Sequence, residues 1–133
     1  MANPVCRVLI PDTLEQSFVF VVTMLEAFGL TISNPQNSKV TTWDESGVQI
    51  EIAAENVPNA VLTGSILNIQ FWKSAGEDMF VAWETVDGGC SFSFFLDGLD
   101  SNFSLMLVAK LAESALTRFR SRYDGPALIL TFG

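Results

Sequence analysis

The spacing of apolar and polar positions along the chain switches between a helical and a strand period. Residues 5–10 form a short apolar run that predicts a first strand. A helix follows, because Asp12 with Glu15 and Thr13 with Gln16 both have capping-box spacing, which satisfies orphan amide donors. Leu14, Phe18, Val21, Leu25 and Phe28 share one face of that helix, and Gly29 stands where a left-handed residue would end it. The β-rich run 18–22 competes as a strand, and the capping residues decide for helix.

Past the polar loop around Pro35, the period becomes two. Residues 39–43 and 47–54 predict a hairpin turning at 44–47, with Val48, Ile50 and Ile52 on a half-buried face opposite Gln49 and Glu51. Strands are expected at 65–73, 79–86 and 90–96. A three-residue loop of Ser74, Ala75 and left-handed Gly76 would set Phe71 opposite Met79 and Ile69 opposite Val81. A tight turn at Asp87-Gly88 or Gly88-Gly89 would set Trp83 opposite Phe92 or Phe94, and Glu84 opposite a serine. Asp100 or Ser101 would cap a long helix whose apolar stripe is Leu105, Val108, Ala112, Ala115, Phe119 and Tyr123, stopped by Gly125 and Pro126. Residues 127–132 close the chain as a short, buried strand. The order β-α-β-β-β-β-β-α-β predicts an α+β two-layer sandwich, its mainly antiparallel sheet covered on one face by two helices.

Strand alternation then sorts the sheet residues. With Leu67, Ile69, Phe71, Met79, Val81, Trp83, Phe92, Phe94 and Leu96 turned to the helices, the outward set is Asn68, Gln70, Trp72, Phe80, Glu84, Ser91, Ser93 and Phe95. The preceding hairpin would add Gln49, Glu51 and Trp43. Aromatic, polar and acidic residues mixed on a flat surface match the make-up of protein interfaces, where aromatic anchors supply most of the affinity. The candidate partner-binding residues are therefore Trp43, Glu51, Gln70, Trp72, Phe80, Glu84 and Phe95, with the loop acids Asp44, Glu45, Glu77 and Asp78. Cover of Phe80 and Phe95 by a loop or a second copy of the chain is the structural alternative.

Composition narrows the chemistry. The 133 residues suit one domain, and no repeat or linker divides them. Fifteen acidic against seven basic side chains give a net charge of -8, which argues against nucleic acid and for a basic protein partner. No apolar run approaches the roughly 20 residues of a membrane span, and the first residues have no signal-peptide pattern, so no membrane association and a cytoplasmic location are expected. The absence of histidine leaves Asp, Glu, Lys, Cys and Tyr as candidate acid-base groups. Asp97 and Asp100 sit at a helix entry, where capping accounts for them, and Cys6 and Cys90 lack metal-ligand spacing. No phosphate-loop, dinucleotide, esterase or zinc-protease signature occurs. Arg118, Arg120 and Arg122 could clamp an anion, but cations near a helix C-terminus complement its dipole. No catalytic residue, metal or cofactor is expected.

The reading that follows is a non-enzymatic acidic module that binds another protein through its open sheet face, as an immunity protein or antitoxin blocks a basic toxin or nuclease. The competing reading is a homodimeric small-ligand binder or minor enzyme with an apolar pocket between sheet and helices.

Overall fold

A computed structural model describes residues 3–132. The chain runs β1 (Pro4–Ile10), α1 (Leu14–Ala27), β2 (Val40–Trp43), β3 (Gln49–Ile52), α2 (Val57–Leu62), β4 (Asn68–Ser74), β5 (Glu77–Val86), β6 (Gly89–Phe95), α3 (Ser101–Leu116) and β7 (Leu128–Phe132). It is an α+β sandwich, built on a five-stranded antiparallel sheet of order β4-β5-β6-β1-β7.

Local chemistry fixes α1 at both ends. Thr13 Oγ1 accepts a hydrogen bond from the Gln16 amide at 3.2 Å, and Gly29, at φ +87°, lets Leu30 N–H reach back to Leu25 O at 2.9 Å. These caps hold the β-rich segment 18–22 helical. Asp100 caps α3 in the same manner, accepting from Phe103 N–H at 2.8 Å. The buried face of α3 differs from the expected stripe: Phe103, Leu107, Leu111 and Ala115 point inward, whereas Leu105 is 69% exposed. Phe119 and Tyr123, which helped define that stripe, lie beyond the end of the helix at Leu116 and so cannot set its phase. They are used nonetheless, Phe119 in the core and Tyr123 donating its hydroxyl to Leu9 O at 2.9 Å.

The hairpin registers follow the alternation, with Phe71 opposite Met79, Ile69 opposite Val81, Trp83 opposite Phe92 and Glu84 opposite Ser91. The β4-β5 connection is tighter than expected. Ser74 pairs with Glu77, so Ala75 and Gly76 alone form the turn, and a bulge at Lys73 takes up the extra residue. Gly89 packs so closely under the end of β1 that a Cβ there would lie 2.1 Å from Ile10 O. β1 itself is inserted between β6 and β7, with Cys6 facing Phe94 on one side and Leu130 on the other.

One side of this sheet is dry. Cys6, Val8, Ile10, Ile69, Phe71, Met79, Val81, Trp83, Phe92 and Phe94 are buried, each large side chain contributing about 1.5–3 kcal/mol. The helix layer closes over them through an edge-to-face contact of Phe18 on Trp83 at 5.4 Å, and Phe28-Phe103 at 6.0 Å and Phe20-Phe119 at 5.5 Å join α1 to α3 and the turn beyond it.

The middle of the chain departs most from expectation. A third helix, α2, with Pro58 in its first turn, occupies part of the stretch between the strands, and β4 begins only at Asn68. Leu67, expected to point at the helices, precedes the strand and is 51% exposed. β2 and β3 form a separate two-stranded sheet. Burial falls on β2, where Val40, Thr41 and Thr42 are enclosed, while Val48 and Ile50 of the β3 arm stand in solvent instead of on a half-buried face. The Asn68 side chain joins the two sheets, accepting from Trp43 N–H at 2.8 Å and donating to Trp43 O at 2.9 Å. Reciprocal backbone bonds between Thr31 and Trp72 cover the other end of β4.

Candidate partner-binding face

The strand registers place the outward residues in rows across the sheet. One row runs Gln70, Phe80, Phe95, Val5, Thr131; the next runs Asn68, Ala82, Ser93, Arg7, Ile129. Glu84, Ser91 and Leu9 form the start of a third, and Trp72 with Asp78 lies at the opposite end. Arg7 and Glu84 are exposed, and Phe80, Phe95, Ser91 and Ser93 are half-buried, shielded only in part by their neighbours.

Phe80 and Phe95 oppose each other across the β5-β6 ladder with ring centroids 5.3 Å apart, tilted by 57°. Such pairs contribute about 0.5–1.5 kcal/mol beyond their area. Arg7 stands over the adjacent row, its Nε–H donating to Ser93 Oγ at 3.3 Å, which leaves the rest of the guanidinium fork free of any protein acceptor among the described residues. Glu84, Ser91 and Ser93 border the same shallow polar hollow as Arg7. The face therefore offers an aromatic pair flanked by separated charges of both signs.

A side-chain chain organises its β4 corner. Gln70 Nε2 donates to Asp78 Oδ2 at 2.9 Å, and Gln70 Oε1 accepts from Trp43 Nε1 at 3.5 Å. Trp43, although on the separate hairpin, thereby adjoins the face. Trp72 is half-buried and its Nε1 is enclosed without an acceptor. Gly98 lies against the Asp78 backbone, where a Cβ would come within 2.2 Å of its carbonyl oxygen.

The eleven candidate residues thus fall into groups. Gln70, Trp72, Asp78, Phe80, Glu84 and Phe95 share the face, with Trp43 at its corner. Glu77 sits at the tip of the β4-β5 hairpin, bonded by Ser74 Oγ at 3.2 Å and 3.9 Å from Lys73 Nζ. Asp44, Glu45 and Glu51 lie on the β2-β3 hairpin. There Asp44 holds the turn by accepting from the amides of Ser46 and Val48, each at 2.9 Å, and Glu51 accepts from Asn37. Sequence reasoning missed Val5, Arg7 and Leu9 of β1 and Ile129 and Thr131 of β7. The alternation of Arg7 with buried Cys6 and Val8 carries a signal for the faces of β1, whereas nothing signals its place between β6 and β7.

Other constellations resolve into structural roles. The arginines do not converge: Arg118 lies over the rings of Phe20 and Phe119 at 4.9 and 5.2 Å, and Arg122 is 3.8 Å from Asp12. Burial pushes the Cys6 thiol up to about 11 and raises that of Cys90, which the charge of Asp12 raises further. Neither is a poised nucleophile. The sheet-helix interface is filled by fully buried side chains, and an open apolar groove of about 290 Å³ lies between α1 and α2 against Phe18, Val22, Val57 and Val61. Among the described residues no helix is long and apolar enough to cross a membrane. No family model matches this chain, and neither a curated protein nor a solved structure does so.

Proposed function

We propose that the chain is a non-enzymatic binding module that holds a protein partner of basic net charge on the open sheet face. The observation that supports this reading is the uncovered row of Phe80 and Phe95 beside exposed Arg7 and Glu84, an aromatic centre with a charged surround. A net charge of -8 favours encounter with a basic partner and rejects acidic ones, the electrostatics of an immunity or antitoxin-type inhibitor.

The experiment is capture of partners by the wild-type protein and by Phe80→Ser and Glu84→Lys, with Leu116→Ser on the far side of the helix layer as the control. The reading expects a stoichiometric basic protein held by wild type and the control and lost with both face variants, while circular dichroism of all four proteins agrees. A partner lost only with the control would place binding elsewhere. The α1-α2 groove supports a second reading, a small apolar ligand, because its volume is at the low end of the roughly 300–1,000 Å³ of ligand pockets.

A further inference from the structure

We infer that β7 is a self-association edge, through which two copies of the chain pair strand to strand into one continuous ten-stranded sheet. The two edges of the sheet are treated differently. The β4 edge is closed by Asn68 on Trp43 and by the Thr31-Trp72 bonds. At the β7 edge, among the described residues, no strand pairs beyond it. Leu9 N–H donates to Ala127 O at 2.9 Å, so by the two-residue alternation of an antiparallel ladder Ile129 and Thr131 turn their backbone groups toward β1. Leu128, Leu130 and Phe132 turn theirs outward, as an unpaired template for another strand.

The side chains beside that template are apolar. Leu130 is 41% and Phe132 65% exposed, and both border a groove with Leu105 and Val108 of α3. A second copy is the occupant that charge selects. On a chain of net charge -8, self-contact is opposed by repulsion almost everywhere, yet residues 125–132 carry no ionisable side chain, and the groove beside them offers a basic partner a single carboxylate, Asp97. Geometry agrees. A two-fold axis at Leu130 makes Leu130 its own hydrogen-bonded partner and sets Leu128 opposite Phe132 of the other copy. Because the β4 edge is closed, β7 cannot pair with it to propagate a filament, so association stops at two. The proposal is independent of the partner-binding reading, since edge pairing leaves both open faces free.

Sedimentation velocity of the full chain tests it. The expected result is a species of twice 14.6 kDa that resists high salt, a dissociation constant at least about tenfold weaker for Leu130→Lys, and an unchanged circular dichroism spectrum. A strand pair centred on Leu130 would hold the two Cα atoms about 5.5 Å apart, within disulfide reach, so Leu130→Cys, made with Cys6→Ala because Cys6 lies opposite Leu130 in the same chain, should also cross-link under mild oxidation while buried Cys90 stays reduced. A wild-type monomer at about 100 μM, a weakness corresponding to less than roughly 5.5 kcal/mol of association, would overturn the inference. So would a dimer that neither Leu130 variant affects or one that Phe80→Ser dissolves.

Discussion

The two faces of the five-stranded sheet are made by the same strands and differ only in the parity of the residue, yet they answer to different constraints. Phe94 and Phe95 are neighbours in β6. Phe94 is fully enclosed among the helices, and Phe95 lies half in solvent against Phe80. The inner face is built of apolar side chains because a polar group there loses water without a partner, a cost it bears at the unpaired Trp83 indole N–H. The outer face tolerates Arg7, Glu84, Ser91 and Ser93, and its aromatic residues are not needed to exclude water from the core. A surface under so little folding constraint is where recognition can be written.

The sharpest way to break this comparison is to truncate the neighbours separately. Phe94→Ala should cost about 3–5 kcal/mol in urea unfolding, and Phe95→Ala less than about 1.5 kcal/mol. Equal losses would mean that the outer face belongs to a second core.

A smaller effect separates the faces by pH. Burial raises the Cys6 thiol from 9.0 to about 11, so above pH 9 the folded chain keeps a proton that the unfolded chain releases. That stability is complete below pH 9 and is lost as pH rises toward 11, by about 2–3 kcal/mol. Cys6→Ala should be less stable at pH 7 and show a shallower decline between pH 9 and 11 when unfolding is followed across the series. A parallel decline in both proteins would assign the loss to other groups.

On the outer face itself, a double-mutant cycle on Phe80 and Phe95 should return a coupling of about 0.5–1.5 kcal/mol from their tilted contact. The smallest expected effect is that of Glu84→Lys, within about 0.5 kcal/mol of wild type by thermal unfolding, because the side chain is exposed and holds no hydrogen bond. A large loss there would mark Glu84 as structural.

Much of this arrangement is legible in the sequence. Short-range chemistry was the readable part: capping at Thr13 and Asp100, the left-handed stop at Gly29, the two hairpin registers, and hence which residues of β4, β5 and β6 share a face. What failed was long-range. Nothing in residues 5–10 says that β1 enters between β6 and β7, so Arg7 was absent from the candidate face. The α3 stripe was drawn through Phe119 and Tyr123 because apolar periodicity continues past the residue where the helix stops. α2 spans only Val57–Leu62, too short to show a helical period, and the separation of the β2-β3 hairpin from the main sheet has no periodic signature because it turns on the polar Asn68 side chain that joins them.

The most direct test of the central claim places a photo-cross-linking amino acid at Ser93, in the middle of the open face, and in a second protein at Leu116, exposed on α3. Both are irradiated in lysate of the source cells. The account predicts a heavier adduct with one basic protein from the Ser93 position and none from Leu116. An adduct from Leu116 alone, or an adduct of the chain with itself at Ser93, would contradict it.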